Sequence, residues 1–167
     1  MLNIYPNDCM YKCVGFTFAQ PNIFYMKACD SRYSQCLYFA SSALSRKVEK
    51  LATECWAPVG LSPSHGYLLM IAIEEPGVQP SFLVEQLQLT PSTITRLIEK
   101  LEEKKLVVRT TEGKITNVYP TPKGKDMLPA LKACGQDFHE RYAAQLGDRE
   151  STALVSSICQ MTDKLKV

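Results

Sequence analysis

Apolar residues recur along this chain with two different periods, and each change of period marks an element. From Ser34, the positions Leu37, Ala40, Leu44, Val48, Leu51 and Cys55 keep helical spacing, with Arg46, Lys47, Glu49 and Lys50 on the other side. That pattern predicts a long amphipathic helix ending near Trp56-Ala57-Pro58. After Gly60, Ser62 is placed to cap a second helix and Pro63 to take its first turn. Tyr67, Leu68, Met70, Ile71 and Ile73 make this helix apolar on most faces, which puts it at the centre of the fold. Glu75-Pro76-Gly77 stops it.

The stretch from Pro80 to Gly124 organises the rest. Leu83, Val84 and Leu87 share one face of a short helix opened by Pro80-Ser81, and Gln88-Leu89 makes a brief turn. Thr90 offers its hydroxyl as an N-cap, and Pro91 takes the first helical position, where its missing N–H costs nothing. Ile94, Leu97, Ile98 and Leu101 form the buried stripe of the helix running from Pro91 to Lys104. Its opposite face carries Ser92, Thr93, Thr95, Arg96 and Lys100. Two short helices across a tight turn, the second polar and basic at its N-terminal end, predict a helix-turn-helix. The period then falls to two. Leu106-Val-Val-Arg109 and Ile115-Thr-Asn-Val-Tyr119 read as strands of a hairpin around the turn Thr111-Glu-Gly-Lys114. A helix-turn-helix followed by a hairpin is a winged helix, so the expected fold is mainly α with a small β-hairpin wing, a module that reads DNA.

Helical spacing resumes at Thr121-Pro-Lys-Gly124, with Met127, Leu128, Leu131, Phe138, Tyr142 and Leu146 as apolar positions. Gly147-Asp148 breaks that helix. The last helix runs from Arg149 to about Leu165, with Leu154, Ile158, Met161 and Leu165 on one stripe. These terminal helices carry more apolar surface than a winged helix of ~60–70 residues can cover. They bury each other most economically across a two-fold axis, which predicts a homodimer. Residues 26–167 therefore read as one domain, with dimerisation helices at 33–57 and 125–166 and a winged-helix DNA-binding part at 62–124. Residues 1–25 are an extension of unclear role. They are aromatic and nearly free of charge, which disfavours a disordered tail. One reading is an arm that packs on a partner subunit; the other is an extension without native role, since Met26-Lys27 would serve as an initiator.

Charge sharpens this picture modestly. The formal net charge of the 167 residues is only +2. Residues 81–125 hold eight basic side chains against five acidic ones, while residues 1–80 hold six of each and residues 126–167 five against six, so the excess lies where phosphate would be met. Lys100, Arg109, Lys114 and Lys123 are the expected phosphate contacts, which position without specifying sequence. Ser92, Thr93, Thr95 and Arg96 are the expected base readers, with Arg96 able to address guanine through a bidentate pair.

Seven cysteines make an odd count, and no secretory leader or apolar run near ~18 residues is visible, so a cytoplasmic chain with reduced thiols is expected and no membrane partner. Cys9-x-x-x-Cys13 has no matching pair, and His65 and His139 are the only histidines, so no metal site and no cofactor are expected. No nucleophile–base pair, carboxylate dyad or phosphate-binding glycine loop is present, which argues against an enzyme. Cys36, in the first turn of the long helix, is the leading candidate for a reactive thiol, because aligned N–H groups there stabilise a thiolate. Cys29 is close enough in sequence to act as a resolving thiol. Cys55, Cys134 and Cys159 lie on apolar stripes and are expected in the core.

The order of these elements, with Gly60-Leu-Ser, Leu83-Val-Glu-Gln-Leu87, Thr90-Pro-Ser-Thr-Ile-Thr-Arg-Leu97, Leu101-Glu-Glu-Lys-Lys-Leu-Val-Val-Arg109 and Thr121-Pro-Lys-Gly124, resembles the MarR (multiple-antibiotic-resistance regulator) family of winged-helix transcriptional regulators. The resemblance spans about Ser34 to Leu165. It implies an obligate homodimer on a pseudo-palindromic double-stranded DNA operator, with the recognition helix in the major groove and the wing on the flanking minor groove. It further implies a repressor released by a small-molecule effector bound near His65, or by oxidation of Cys36, as in the family's peroxide-sensing branch. Three departures stand out. Gln88 occupies a turn position that often holds glycine, and Lys105 replaces the glycine that usually closes the recognition helix, so a left-handed residue there would be strained. The wing signature Asp-x-Arg appears as Glu112-Gly113-Lys114, without the bidentate fork of arginine. A different class of reading, a winged-helix protein-interaction module without sequence-specific DNA binding, is separated by salt dependence, since DNA binding weakens steeply as salt rises.

Overall fold

Among the described residues, Pro63, Pro80, Pro91 and Pro122 each take the first position of a helix, and each marks where that helix starts. The computed structural model describes residues 26–113 and 115–166. The extension 1–25 and Lys114 lie outside the described residues. The chain divides into two units, Met1–Ala40 and Ser41–Val167. In the first, a 3₁₀ turn at Ala28–Asp30 carries Cys29 and is followed by a bend leading to Cys36.

The helices are α1 (Leu37–Trp56), α2 (Pro63–Glu74), α3 (Pro80–Leu87), α4 (Pro91–Glu103), α5 (Pro122–Asp126), α6 (Leu128–Leu146) and α7 (Asp148–Lys164). Strands β1 (Val107–Glu112) and β2 (Ile115–Pro120) form the antiparallel wing between α4 and α5. Pro63, Pro80, Pro91 and Pro122 all stand where a missing N–H is harmless. Thr90 and Thr121 complete two of these starts, accepting the backbone N–H of Thr93 and Gly124. Ser62, expected to do the same for α2, does not; its hydroxyl is held 2.6 Å from His65 Nδ1.

The core is built around α2, which packs against α3, α4, α5, α6 and β2. Its Leu68, Leu69 and Ala72 are fully buried with Leu83 of α3, with Ile94, Leu97, Ile98 and Leu101 of α4, and with Leu106, Val107, Val118 and Leu131. The predicted stripe of the recognition helix is thus the buried stripe. Leu83 closes the contact between α3 and α4 across a turn in which Gln88 takes φ 52°.

The wing is longer than the sequence pattern suggests. Pairing runs from Val107↔Pro120 to Glu112↔Ile115, and Gly113 at the turn has φ 62°. The segment after α2 adds to it. Gly77 N–H donates to Val118 O and Val118 N–H donates to Val78 O, both at 2.9 Å. The single helix expected after Thr121 is divided at Met127 into α5 and α6, because Pro129 lacks the N–H that would continue the ladder.

A second cluster gathers Cys55, Trp56 and Cys134, with Leu51, Val59 and Phe138 against it. The indole of Trp56 is fully buried, with edge-on rings of Tyr67 at 5.4 Å and Phe138 at 6.0 Å. Its Nε1–H has no hydrogen-bond partner and lies against Gly66, where any Cβ would overlap it. Cys55 and Cys134 are buried as expected. Cys159 is not: it is exposed, on an α7 whose stripe of Leu154, Ile158, Met161 and Leu165 also remains exposed.

Candidate nucleic-acid interface

Capping and burial together aim the first turns of α4 outward. Ile94, Leu97, Ile98 and Leu101 pin one side to the core, so Ser92, Thr95 and Arg96 are exposed and Thr93 is half-buried. Thr90 Oγ1 lies 3.1 Å from Ser92 Oγ and 2.9 Å from Thr93 Oγ1, a hydroxyl cluster at the helix start. Thr95 Oγ1 donates to Pro91 O at 3.0 Å, which uses its proton and leaves the oxygen able to accept. Arg96 is in no ion pair among the described residues. A guanidinium unpaired at this position keeps all five donors available.

The other cations expected at phosphate are differently placed. Lys100 Nζ pairs with Glu103 at 2.6 Å, one helical turn on and open to water, a pair worth little and easily exchanged. Arg109 is held by Glu102, with Nη2 to Oε2 at 2.6 Å and its backbone N–H donating to Glu102 Oε1 at 3.1 Å. Lys123 Nζ donates to Lys104 O at 3.0 Å, capping the C-terminus of α4 from the start of α5. Arg109 and Lys123, expected as phosphate contacts, each have an internal partner as well, which counting charges along the sequence could not reveal. Lys114 lies outside the described residues.

The end of α4 is the other well-defined piece of local geometry. Lys105 takes φ 59°, the left-handed conformation foreseen for it, and donates its N–H to Glu102 O. Thr121 clamps the strained turn, donating its hydroxyl to Lys105 O at 2.8 Å and its N–H to Leu106 O at 3.0 Å. Beside it, His65 is pushed below its ordinary pKa, first by burial and then by the charges of Lys104 and Lys100.

The terminal helices carry a separate feature. Leu44, Val48 and Leu51 of α1, Phe138 and Tyr142 of α6, and Leu154 and Ile158 of α7 line an open apolar groove of about 220 Å³. Cys36 is exposed and stands immediately before α1 rather than inside its first turn, its carbonyl accepting Ala40 N–H at 2.9 Å. Cys29 is exposed too. Burial pushes the thiols of Cys55 and Cys134 upward, and Asp137 adds to both shifts. Among the described residues no group of three potential ligands could hold a metal ion, and no helix is long and apolar enough to cross a membrane.

Comparison with known proteins places this arrangement. A MarR family profile matches residues 59–114, which cover α2 through the wing turn. The regulator SarZ of Staphylococcus epidermidis is 27% identical over 139 residues, 81% of this chain and 92% of that protein. A protein assigned to transcriptional regulation of the hcr operon in Thauera aromatica is 27% identical over 99 residues, and the chain spans only 60% of its length. Among solved structures, a MarR-family regulator from Rhodococcus sp. RHA1 is 25% identical with TM-score 0.68, covering 80% of this chain and 97% of that one. The repressor CouR, known from Rhodococcus jostii RHA1, shares the fold in a form bound to a 23-mer DNA duplex (23% identity, TM-score 0.71, 82% of this chain and 98% of that one). The winged helix-turn-helix of this chain thus has the fold of MarR-family transcriptional regulators, and its residues 59–114 are similar in sequence to that family.

Proposed function

We propose that this protein is a cytoplasmic homodimeric repressor that binds a pseudo-palindromic DNA operator through α4 and releases it on receiving a signal. The observation that carries the reading is the exposed N-terminal half of α4, where Ser92, Thr93, Thr95 and the unpaired Arg96 converge on one polar face. A solved relative of the same fold, CouR, is described bound to a 23-mer DNA duplex, which supports DNA as the ligand of this face. Dimerisation is supported by the apolar groove and by Val155, Ile158 and Met161, which are 52, 43 and 65% exposed in the single chain. Two subunits would set their recognition helices about one DNA turn apart, ~34–36 Å.

Two signals suit the geometry. CouR is also described bound to p-coumaroyl-CoA, which supports a small-molecule effector as one of them. The exposed Cys36 and Cys29 support thiol oxidation as the other. Either would act by shifting a two-state dimer away from the spacing that fits the operator.

The test of the reading is a mobility-shift titration. Arg96→Ala should cost roughly 1–3 kcal/mol on a specific duplex and little on unrelated DNA. Equal losses on both would remove the base-reading role. Val155→Glu should convert the dimer to a monomer in sedimentation, and an unchanged sedimentation coefficient would move the interface elsewhere. Cys36→Ser should bind the operator normally and resist peroxide; release that persists in the variant leaves a bound effector as the signal.

A further inference from the structure

We propose that Glu102 is a positioning residue for the DNA contact: it braces the wing against the recognition helix, and Arg109 serves that brace in place of a phosphate. The inference rests on the DNA-binding role proposed above. Glu102 lies in the last turn of α4 and uses both carboxylate oxygens on one strand residue. Oε2 meets the Arg109 guanidinium at 2.6 Å, and Oε1 accepts the Arg109 backbone N–H at 3.1 Å. One side chain therefore holds both the main chain and the side chain of β1.

The sheet explains why that N–H needs a partner. Arg109 pairs with Val118, and Val118 directs its own N–H and C=O to Val78 and Gly77 on the far side. In an antiparallel ladder such a pair exchanges no hydrogen bonds, so the N–H of Arg109 faces outward on the free edge of β1. Glu102 fills that edge position. Strand alternation also puts the Arg109 side chain on the same face as Val107, which is 1% exposed, so it starts from the core face of the hairpin. Arg109 and Glu102 side chains are only 33 and 28% exposed, against 55 and 64% for Lys100 and Glu103. The Glu102 pair is the better shielded and the geometrically richer of the two, so it fixes the angle between helix and wing where the other is incidental.

Electrostatics alone demands the opposite behaviour. Removing an acid beside a polyanion, and freeing an arginine, should tighten DNA binding and steepen its salt dependence. The brace demands that binding weaken. The full-length wild type is used to enrich a duplex from a randomised library, and that duplex and an unrelated one of equal length are then titrated with Glu102→Ala, Glu102→Gln, Arg109→Ala and the double variant Glu102→Ala/Arg109→Ala. On the enriched duplex, Glu102→Ala should lose about tenfold. Hydroxyl-radical cleavage should return under the wing while the major-groove footprint of α4 persists. Arg109→Ala should lose as much, and the double variant no more than either. Glu102→Gln keeps the backbone hydrogen bond without the ion pair and should fall between; being isosteric, it carries the comparison if Glu102→Ala melts early. Binding by Glu102→Ala as tight as wild type or tighter overturns the brace. So does an Arg109→Ala loss that is equal on both duplexes with a shallower salt slope. If wild type enriches no sequence, the DNA-reading role itself fails, a result distinct from a wild type that reads DNA with a dispensable Glu102.

Discussion

Gly124 lies so close to Leu106 that a Cβ at this position would overlap the Leu106 carbonyl oxygen. That oxygen also accepts the N–H of Thr121 at 3.0 Å and approaches its hydroxyl at 3.2 Å. With Lys123 capping Lys104 O, the run Thr121–Gly124 ties the end of α4 to the start of α5 through three consecutive backbone carbonyls, those of Lys104, Lys105 and Leu106. Gly124→Ala would gain up to about 1 kcal/mol of helix propensity. The obstruction is backbone, which cannot rotate aside, so a net loss of about 2–3 kcal/mol is expected. Urea unfolding checks it, and an unchanged midpoint would show that α5 can shift without cost.

Lys105 should respond in the opposite sense. Its φ of 59° is unfavourable for a residue with a Cβ, and its side chain has no hydrogen bond or ion pair among the described residues. Lys105→Gly is expected to stabilise by about 0.5–1 kcal/mol, strain relief outweighing the added freedom of the unfolded chain. Gln88, with φ 52°, returns part of its strain by donating Nε2–H to Glu85 O at 2.8 Å. Gln88→Gly should therefore gain less than Lys105→Gly, and a larger gain at position 88 would contradict that account.

Much of this was legible because period and capping are local properties. Ile94, Leu97, Ile98 and Leu101 announce their burial by spacing alone, and Thr90-Pro91 announces the helix start. The strain at Gln88 and Lys105 was legible as well, from residues standing where a turn wants glycine. What escaped depends on partners distant in sequence or on competition for one. Arg109 reads as a free cation until Glu102 is placed beside it, although the alternation with Val107 already pointed it inward. Ser62 reads as a cap until His65, three residues on, takes its hydroxyl. Pro129 carried the signal for the break between α5 and α6, and the strong apolar spacing around it masked that signal.

His65 should make stability pH-dependent. Burial, then Lys104 and Lys100, lower its pKa in the folded state, so the unfolded chain binds the extra proton more readily. The stability associated with neutral His65 is fully present above the ordinary histidine pKa of 6.5 and is lost as pH falls from there toward the lowered folded value. Urea midpoints for wild type and His65→Gln should separate less at pH 5.5 than at pH 7.5. Parallel pH profiles for the two proteins would mean that protonation at this site is not what varies.

Thiol labelling should divide the described cysteines into two groups. Cys29, Cys36 and Cys159 are exposed and should alkylate within the native state. Cys55 and Cys134 are buried, with thiols held protonated by desolvation and by the nearby Asp137, and should label only after denaturation. Mass spectrometry of iodoacetamide-treated protein resolves the order. Protection of Cys159 at high protein concentration, lost on dilution, would place α7 in the subunit interface.

The packing of Trp56 on Gly66 has an optical consequence. This is the chain's sole tryptophan, so its fluorescence comes from one known place. Fully desolvated, it should emit toward the blue, and the edge-on rings of Tyr67 from α2 and Phe138 from α6 set its surroundings. Any signal that slides α6 against α2 must change the company of that indole. The molecule thus carries a built-in, label-free reporter between its apolar groove and the helices proposed to face DNA, readable while a duplex and a candidate small molecule are titrated in the same cuvette.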